Sequence, residues 1–493
     1  MSARLFAALA AREADAVVLH CASKDWRAAA LLDEVAALSA RLADCRVLAV
    51  LADNGPEWVI ADLAALHAGR VHLPLPAFFT QEQLAHALNH SGADAVLTDQ
   101  PSRIESLNLG FTTVSVWRGL ALMRRECSSV GLPAGTAKVS FTSGSTGTPK
   151  GVCLSAHGLL QTAAAVVETL ADLPFMCQHS RHLAVLPLAL LLENVAGVYA
   201  PLLRGAEIGL PGLATLGWRG MAGFAADALQ GVVEREQPHS LILVPELLKA
   251  WMASGQAGHA SLRFVAVGGA RCDAALIEAA RQQGLPVYEG YGLTECGSVA
   301  SLNHPGADQA GTVGRPLPHV RVTVDAGREI HIGSTAFLGY LGDAARPKAS
   351  GFSTGDLGHL DHAGFLHLSG RRKNLLVTAF GRNVAPEWVE AALTAQPEIA
   401  QAVAFGEARP WLAAVLVAMP GMNATALAGA VARANSGLPD YARVGAWIAA
   451  APFTPGNGQA TGNGRPLRAA IATGYAEAIA TLYTHKEPSH VVL

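Results

Sequence analysis

The sequence predicts a large α/β domain of stacked sheets and helices, completed by a small β-rich subdomain and followed by a small, mobile α+β domain. Three observations support this fold class. At 493 residues the chain is longer than a single hydrophobic core usually serves. Before Arg315, apolar strand-like runs alternate with helical stretches. Beyond Arg315, alternating strands with Gly-rich and Asp-rich turns replace that pattern, and a charged segment then precedes a final lobe.

The large domain is predicted from alternation that implies βαβ units and parallel sheet. Between about residues 15 and 130, apolar runs such as AVVLHC and CRVLAVLAD alternate with helical stretches at 58–68 and 81–89. Further buried strands are predicted after the Gly-rich segment 142–151, in the runs LAVLPL, SLILVP, RFVAVGG and LPVYEGYG. The β-rich subdomain is predicted from the runs VRVTVD, REIHIG and GHLDHAGFLHL.

The charged segment GRRKN, residues 370–374, marks the predicted boundary. It divides the chain into domains 1–372 and 373–493. After it come a strand (LLVTA), a helix at about 386–394 and a strand pair around 399–418. These elements suffice for a separate α+β lobe.

Composition excludes several classes of protein. Hydrophobic residues make up 51% of the chain and charged residues 15%, with a formal net charge of -3. This balance argues against disorder and against broad attraction to nucleic acid. The seven cysteines show no CxxC and no metal-ligand spacing, which suits a reducing compartment.

No transmembrane segment is predicted, and we expect a cytoplasmic protein. The most apolar stretch, 183–203, is interrupted by polar residues and prolines that are costly in a bilayer-spanning helix: Pro187, Glu193, Asn194 and Pro201. The N-terminal apolar run is followed at once by charges, so it favours an amphipathic helix over an export signal. Peripheral membrane contact stays open.

A loop rich in glycine and hydroxyl groups is the strongest local signal. Residues 140–152 read SFTSGSTGTPKGV. Glycines allow close backbone approach to an anion, hydroxyls donate to phosphate oxygens, and Lys150 supplies a mobile positive charge. The alternatives are a plain surface loop and a kinase-like P-loop, but the GxxxxGK[ST] spacing of the latter is absent. We interpret the segment as a phosphate binder of another type.

This loop resembles the TSGTTGxPKG signature of the superfamily of acyl-CoA synthetases, adenylation domains and luciferases. The matching residues are Thr142, Ser143, Gly144, Ser145, Thr146, Gly147, Thr148, Pro149, Lys150 and Gly151. Ser145 replaces the commoner threonine and keeps the hydroxyl. The resemblance implies that the loop holds the β- and γ-phosphates of ATP, with Lys150 acting in catalysis.

Two further segments match the nucleotide site of that superfamily. Its YGxTE signature appears as Tyr291, Gly292, Leu293, Thr294 and Glu295. An aromatic ring stacks on adenine, a hydroxyl holds the α-phosphate, and a carboxylate is a hard oxygen ligand for Mg2+. These roles go to Tyr291, Thr294 and Glu295. By resemblance, the adenine pocket also includes the VGGA residues Gly268, Gly269 and Ala270.

The segment 353–374 resembles the TGDxxxxDxxGxxxxxGRxK signature with every anchor present. A carboxylate accepts both ribose hydroxyls, and an arginine donates in a fixed fork. We assign these roles to Asp356 and Arg371. The resemblance implies a hinge at Lys373, about which the small domain rotates between adenylation and thiolation. It also implies that Gly381, within FGRNVAPEWVE, lies near a pantetheine tunnel.

The resemblance implies that the substrates are a small carboxylic acid, ATP with Mg2+, and the thiol of CoA or of a carrier protein. GEARPWLAAVLV and PGNGQATGN are similar to patterns of the long-chain fatty acyl branch, which favours a fatty or other apolar acid. Leu190 stands where family members often carry a histidine that gates the acyl tunnel. A thiol-independent, adenylate-only ligase remains an alternative.

Arg465 is the main departure from the family pattern. It aligns with the lysine that contacts the α-phosphate and the substrate carboxylate during adenylation, and arginine presents a larger planar fork than lysine. Three interpretations stay open. Arg465 performs the same electrostatic task, or adenylation is weak and an acyl-AMP is delivered, or the chain is an unusual ligase or a nucleotide- and acyl-binding protein with little turnover.

Overall fold

The computed structural model describes residues 2–22, 24–142, 149–173, 180–219, 224–255, 257–343, 351–380, 382–461, 464–483 and 490–492. Among these residues, no helix is both long enough and apolar enough to cross a membrane.

The strands of the large domain follow in chain order: β1 (Val17–His20), β2 (Trp26–Arg27), β3 (Val47–Leu51), β4 (Val71–Pro74), β5 (Ala95–Thr98), β6 (Thr112–Trp117), β7 (Leu120–Arg124), β8 (Thr136–Thr142), β9 (Lys150–Ser155), β10 (Arg181–Leu183), β11 (Glu207–Gly209), β12 (Ser240–Leu243), β13 (Phe264–Val267), β14 (Val287–Tyr291), β15 (Ser301–Leu302), β16 (Arg315–Pro316), β17 (Arg321–Val324), β18 (Glu329–Gly333), β19 (Phe337–Tyr340), β20 (Phe352–Leu360) and β21 (Leu366–Arg371). Its α-helices are α1 (Ser2–Ala10), α2 (Ala28–Arg41), α3 (Pro56–His67), α4 (Gln81–Ser91), α5 (Pro101–Glu105), α6 (Ala156–Thr169), α7 (Ala200–Arg204), α8 (Ala226–Glu236), α9 (Pro245–Ala253) and α10 (Ala274–Gln282). A π-helical turn, Glu193–Tyr199, leads directly into α7.

Two large sheets form the body of this domain. The nine-stranded sheet has the order β16-β15-β14-β13-β12-β10-β11-β1-β2, and the eight-stranded sheet has the order β19-β9-β8-β4-β3-β5-β7-β6. Their central strands pair in parallel, as the alternating sequence pattern predicted. Antiparallel strands extend both sheets; β6 and β7 form one such hairpin.

The largest core joins the two sheets through α2, α3 and α6. Strand β3 shows how alternation divides the packing, because successive side chains of a strand point to opposite faces. Leu48 and Val50 join the core between the sheets, whereas Val47, Ala49 and Leu51 join a separate core against α4 and α5. The eight-stranded sheet is therefore buried on both faces at β3, as its continuous apolar run indicates.

The β-rich subdomain is an antiparallel sheet of order β17-β18-β20-β21. The Asp361–Gly364 turn joins its last two strands, since Asp361 Oδ1 accepts hydrogen bonds from the backbone N–H groups of Ala363 and Phe365, both at 2.9 Å. Beyond the turn the register of β20 and β21 shifts between Leu357 and Gly358, and this shift places Asp356 directly opposite Arg371. Two residues that are fifteen positions apart therefore become neighbours.

The C-terminal domain contains the strands β22 (Leu376–Val377), β23 (Asn383–Val384), β24 (Ile399–Phe405), β25 (Leu412–Ala418), β26 (Val444–Ala450) and β27 (His490–Val492). Its helices are α11 (Pro386–Thr394), α12 (Ala424–Ser436), α13 (Arg468–Gly474) and α14 (Ala476–Leu482). Strands β24 to β27 form one sheet, which α11 and α12 cover on one face and α13 and α14 cover on the other. This agrees with the α+β lobe that the sequence predicted.

Candidate active site

Asp356 is the centre of the candidate nucleotide site. It is 5% exposed, its Oδ2 accepts a hydrogen bond from the Tyr291 hydroxyl at 2.6 Å, and its Oδ1 lies 2.8 Å from Nε of Arg371. Burial raises the pKa of Asp356, and the Arg371 charge and the Tyr291 hydrogen bond oppose that rise. The carboxylate is thus held in one orientation by two donors.

A tight turn after β14 sets the position of Tyr291. A Cβ atom added to Gly292 would lie 1.9 Å from the carbonyl oxygen of Ser298, so the chain can pass here only as glycine. The turn then continues as a short 3-10 helix over Thr294–Cys296. Thr294 and Glu295 are half-buried at its start.

Cys296 is fully buried beneath this turn, and burial raises the pKa of its thiol to about 12. A thiol with that pKa is not a nucleophile at neutral pH. Its place is structural, because Sγ lies 3.1 Å from the Leu293 carbonyl oxygen.

The ends of the phosphate loop are paired. Thr142 at the end of β8 lies opposite Lys150 at the start of β9 in antiparallel register, so the loop closes a hairpin. Most of the predicted phosphate-binding residues fall outside the described part of the chain, namely Ser143, Gly144, Ser145, Thr146 and Gly147. Lys150 is exposed and lies where the loop joins the start of β9.

Tyr340 connects Lys150 to Glu295. The ammonium of Lys150 lies 5.6 Å from the centre of the Tyr340 ring, within cation–π range, and the Tyr340 hydroxyl donates to Oε1 of Glu295 at 2.8 Å. Burial and the neighbouring carboxylate raise the pKa of Tyr340, so the hydroxyl keeps its proton. Tyr340 was not predicted from the sequence, because no motif includes it and its contact with Glu295 depends on the pairing of β19 with β9.

The predicted adenine segment adjoins this turn. Strand β13 ends at Val267, and Gly268 lies so close to β14 that an added Cβ would be 3.2 Å from the Gly290 carbonyl oxygen. Gly269 has φ of +80°, a conformation that favours glycine. The structure therefore brings Gly268 beside the strand that carries Tyr291, with Gly269 and Ala270 following it in the chain.

Apolar side chains border the same segment. Leu192 lies 4.0 Å from a Cβ added to Gly268, and Val244 lies 3.5 Å from one added to Gly269. The wall that contains Leu190 and Leu192 is held by buried polar groups: Glu193 accepts from the backbone N–H of Leu186 and contacts His182 Nε2, both at 2.9 Å. Leu192 thus presents an apolar side chain to Gly268, and the contacts of Glu193 hold the adjoining backbone in place.

Arg465 of the C-terminal domain lies near the pair formed by Asp356 and Arg371. It lies in a turn before α13, where its backbone N–H donates to Thr461 Oγ1 at 3.0 Å. The Arg465 side chain is exposed to solvent. Nearby protein atoms nevertheless desolvate its guanidinium in part, which lowers its pKa. The Arg371 charge lowers that pKa further, while Glu246, Glu387 and Asp356 oppose the change. Arg465 therefore lies within electrostatic reach of both Asp356 and Arg371.

Lys373 lies between the two domains. It is exposed and belongs to a 3-10 turn, Arg372–Asn374. An ion pair anchors this turn to the large domain, since Nη1 of Arg372 lies 2.5 Å from Oε2 of Glu329. On the other side Asn374 donates to Glu387 at the start of α11. Gly381 falls outside the described residues.

Comparison with known proteins identifies the family. The pattern described as "AMP-binding enzyme" matches residues 6–341, and that described as "AMP-binding enzyme C-terminal domain" matches residues 373–487. The chain belongs to the AMP-binding enzyme family. The family resemblance and the fold class that the sequence predicted are thereby confirmed.

Named relatives differ in their substrates. The chain is similar to long-chain-fatty-acid–CoA ligase FadD15 of Mycobacterium bovis, with 39% identity over 32% of this chain and 27% of that protein. It is also similar to 2-succinylbenzoate–CoA ligase of Bacillus velezensis, with 28% identity over 73% of this chain and 75% of the relative. The match to FadD15 therefore spans about a quarter of that protein, whereas the match to the other ligase spans most of both chains.

Among solved structures, the chain resembles the anthranilate CoA ligase AuaEII in complex with anthranoyl-AMP. The TM-score is 0.81 at 17% identity, covering 97% of this chain and 98% of the other. At this identity the likeness supports the fold of the large and small domains.

Proposed function

We propose that this protein uses ATP to activate a carboxylic acid as acyl-AMP and then transfers the acyl group to the thiol of CoA. The observation that carries the proposal is that Arg465, from the C-terminal domain, lies close enough for its charge to interact with those of Asp356 and Arg371 of the large domain. A cation that enters a nucleotide site from a separate domain suits a reaction in which negative charge builds up between two substrates.

Each residue of the site has a role in this proposal. Asp356 accepts the ribose hydroxyls, Tyr291 and the glycines Gly268 and Gly269 enclose the adenine, and the hairpin loop ending at Lys150 holds the outer phosphates. A carboxylate oxygen of the substrate attacks the α-phosphorus, the bond to pyrophosphate breaks, and pyrophosphate leaves. Arg465 stabilises the charge that develops at the α-phosphate.

Glu295 fits the Mg2+ that ATP chemistry uses. Its carboxylate is a hard oxygen ligand, and the Tyr340 hydrogen bond at 2.8 Å fixes its orientation beside Lys150. When bound, Mg2+ supplies neutralisation of phosphate charge. The nearby Lys150 neutralises a separate part of the same polyphosphate.

The second step requires the C-terminal domain to move. The thiol sulfur attacks the acyl carbon, the bond to AMP breaks, and AMP leaves with the bridging oxygen while the thiol proton passes to solvent. We propose rotation about Lys373, which lies exposed between two anchored segments, with Gly381 lining the path of the thiol. CoA is preferred to a carrier protein because the named relatives are CoA ligases.

An apolar, fatty-type acid is the proposed substrate class. Leu192 and Val244 border Gly268 and Gly269, and Leu190 occupies the place of a gating histidine. Aryl acids form the competing class, since the relatives include 2-succinylbenzoate–CoA ligase. Fatty and aryl acids differ in the length of apolar chain that the segment 186–194 would contact. Activity across a panel of acids therefore distinguishes the two classes.

Arg465 supports one alternative function. If the arginine fork does not fit the α-phosphate, the chain would accept a delivered acyl-AMP or act as an adenylate-only or weakly catalytic binder. The two outcomes differ in acid-dependent release of pyrophosphate.

Pyrophosphate release across saturated, unsaturated and aryl acids, with and without CoA, tests the proposal. We expect acid-dependent release that is greatest for an apolar acid and increases when CoA is added. Arg465→Ala should abolish release, Arg465→Lys should retain it, and the matched control Arg443→Lys, on an exposed arginine of the same domain, should leave it unchanged. No release with any acid, with ATP binding intact, would contradict the proposal.

A further inference from the structure

Lys249 forms a contact between the two domains that no motif includes. It lies on α9 of the large domain, and its ammonium donates to three backbone carbonyl oxygens of the C-terminal domain: Thr394, Gln396 at 2.8 Å, and Ile399. The partners are 145 to 150 residues away in sequence. One side chain thus joins the domains through three hydrogen bonds.

The chemistry of this contact matches donor to acceptor. An ammonium has three N–H donors, and the last carbonyl groups of a helix have no partner within the helix. Thr394 ends α11, so its carbonyl is one of these groups and lies at the negative end of the helix dipole. Glu398 and Glu246 add favourable charge around Lys249. Burial lowers the pKa of Lys249 to about 8, and below that pH the ammonium remains the main form.

The same arrangement of domains keeps Arg465 within electrostatic reach of Asp356 and Arg371. Helix α11 packs directly on the large domain, since an added Cβ at Gly370 would lie 2.2 Å from Cβ of Ala385, the residue before the helix. Rotation of the C-terminal domain about Lys373 would carry α11 and Arg465 away together. The Lys249 contacts can therefore exist in only one of the two orientations.

We infer that Lys249 is a positioning residue for the adenylation step, because it binds the C-terminal domain in the orientation that keeps Arg465 close to Asp356 and Arg371. The inference rests on the proposed function. It predicts that Lys249 acts on one half-reaction and not on the other, a split that general loss of stability would not produce.

Two half-reactions measured separately test this inference. Adenylation is followed by acid-dependent exchange of pyrophosphate into ATP, and thiolation by CoA thioester formation from supplied acyl-AMP. In Lys249→Met we expect exchange to fall by at least about tenfold, the loss expected for hydrogen bonds to a charged group. Thioester formation should stay at or above its normal rate. Lys249→Arg should restore part of the exchange, and Lys24→Met, on a distant surface lysine, is the matched control.

Limited trypsin cleavage at Arg372 and Lys373 supplies a readout independent of activity. These residues are exposed between the domains. Cleavage should accelerate by about tenfold in Lys249→Met, because release of three contacts frees the C-terminal domain, and should stay near the normal rate in Lys249→Arg. If Lys249→Met does not fold, Lys249→Gln replaces it in both assays.

Exchange and cleavage at normal rates in Lys249→Met would overturn the inference, as would an equal loss of both half-reactions. Failure of the proposed function has a different signature: the unaltered protein itself would show no exchange with any acid, while the cleavage assay would still report on Lys249.

Discussion

The hydroxyl of Tyr291 donates to Oδ2 of Asp356 at 2.6 Å, and this bond joins two motifs that lie 65 residues apart in sequence. It also fixes the carboxylate so that its second oxygen meets Arg371 at 2.8 Å. Preorganisation of this kind lowers the cost of ordering a site when its ligand binds.

Tyr291→Phe should weaken ATP binding while leaving the fold intact. The ring remains for stacking, but Asp356 loses a donor and its orientation. We expect the Kd for ATP to rise by about tenfold, the effect of a hydrogen bond to a charged group, as measured by isothermal titration calorimetry. Tyr288→Phe is the matched control, because that ring stacks on Phe264 with centroids 5.3 Å apart and does not touch Asp356. An unchanged Kd would contradict the proposed role.

Tyr340→Phe should alter the dependence on Mg2+. The ring still faces Lys150, but Glu295 loses the hydroxyl that orients it. We expect half-maximal pyrophosphate release to require several-fold more Mg2+, with KM for the acid unchanged. The control is Tyr441→Phe, on an exposed tyrosine of the C-terminal domain. A normal Mg2+ curve would contradict the proposal that the Tyr340 hydroxyl orients Glu295 for Mg2+.

Lys138→Met should destabilise the large domain strongly. Lys138 and Asp62 are both fully buried and lie 2.8 Å apart, with His72 also 2.6 Å from Asp62. Burial alone would raise the pKa of Asp62, but Lys138 and His72 hold this pKa well below its usual range. Removing Lys138 leaves a buried charge without its partner and should cost about 3–5 kcal/mol.

The urea midpoint of unfolding measures this loss. The double variant Asp62→Asn with Lys138→Met should recover much of the stability, because it removes both charges. A double variant that is less stable than Lys138→Met would contradict the assignment of the loss to an unpaired carboxylate.

Glu289→Gln should change how stability depends on pH. Glu289 is buried beside the VGGA segment, its Oε1 accepts from the backbone N–H of Cys272 at 3.1 Å, and burial raises its pKa to about 8. The folded state therefore holds this proton more tightly than the unfolded state, and the associated stability is lost as pH rises toward 8. Glutamine keeps the acceptor without the titration.

Thermal unfolding midpoints between about pH 5 and 9 test this expectation. The unaltered protein should lose stability as the pH rises from about 5 to 8 and level off above that, and Glu289→Gln should lose less. Parallel curves for the two proteins would contradict a buried, protonated Glu289.

Local patterns predicted much of the fold. Helix α11 begins at Pro386 and ends at Thr394, as its composition predicted, because proline favours the first turn and an apolar face repeats along it. The meeting of Asp356 and Arg371 follows from a short hairpin and from a register shift between Leu357 and Gly358, and both lie close to these residues in sequence. Local signals of this kind need no knowledge of distant contacts.

Contacts between distant segments could not be predicted in the same way. Tyr340 reaches Glu295 only because β19 pairs with β9, and Lys249 acquires its partners only when the two domains meet. The π-helical turn at Glu193–Tyr199 also escapes a periodicity analysis, because its buried polar groups and its i to i+5 spacing match neither a strand nor an α-helix pattern.

Transfer of a labelled oxygen tests the central claim most directly. An acid with 18O in both carboxylate positions should pass one 18O to AMP when the protein converts it to the CoA thioester, because the carboxylate oxygen that attacks the α-phosphorus leaves with AMP. Mass spectrometry of the nucleotide product measures this. Labelled AMP is the predicted result, and thioester formation with unlabelled AMP, or with label in inorganic phosphate beside ADP, would contradict an acyl-AMP intermediate.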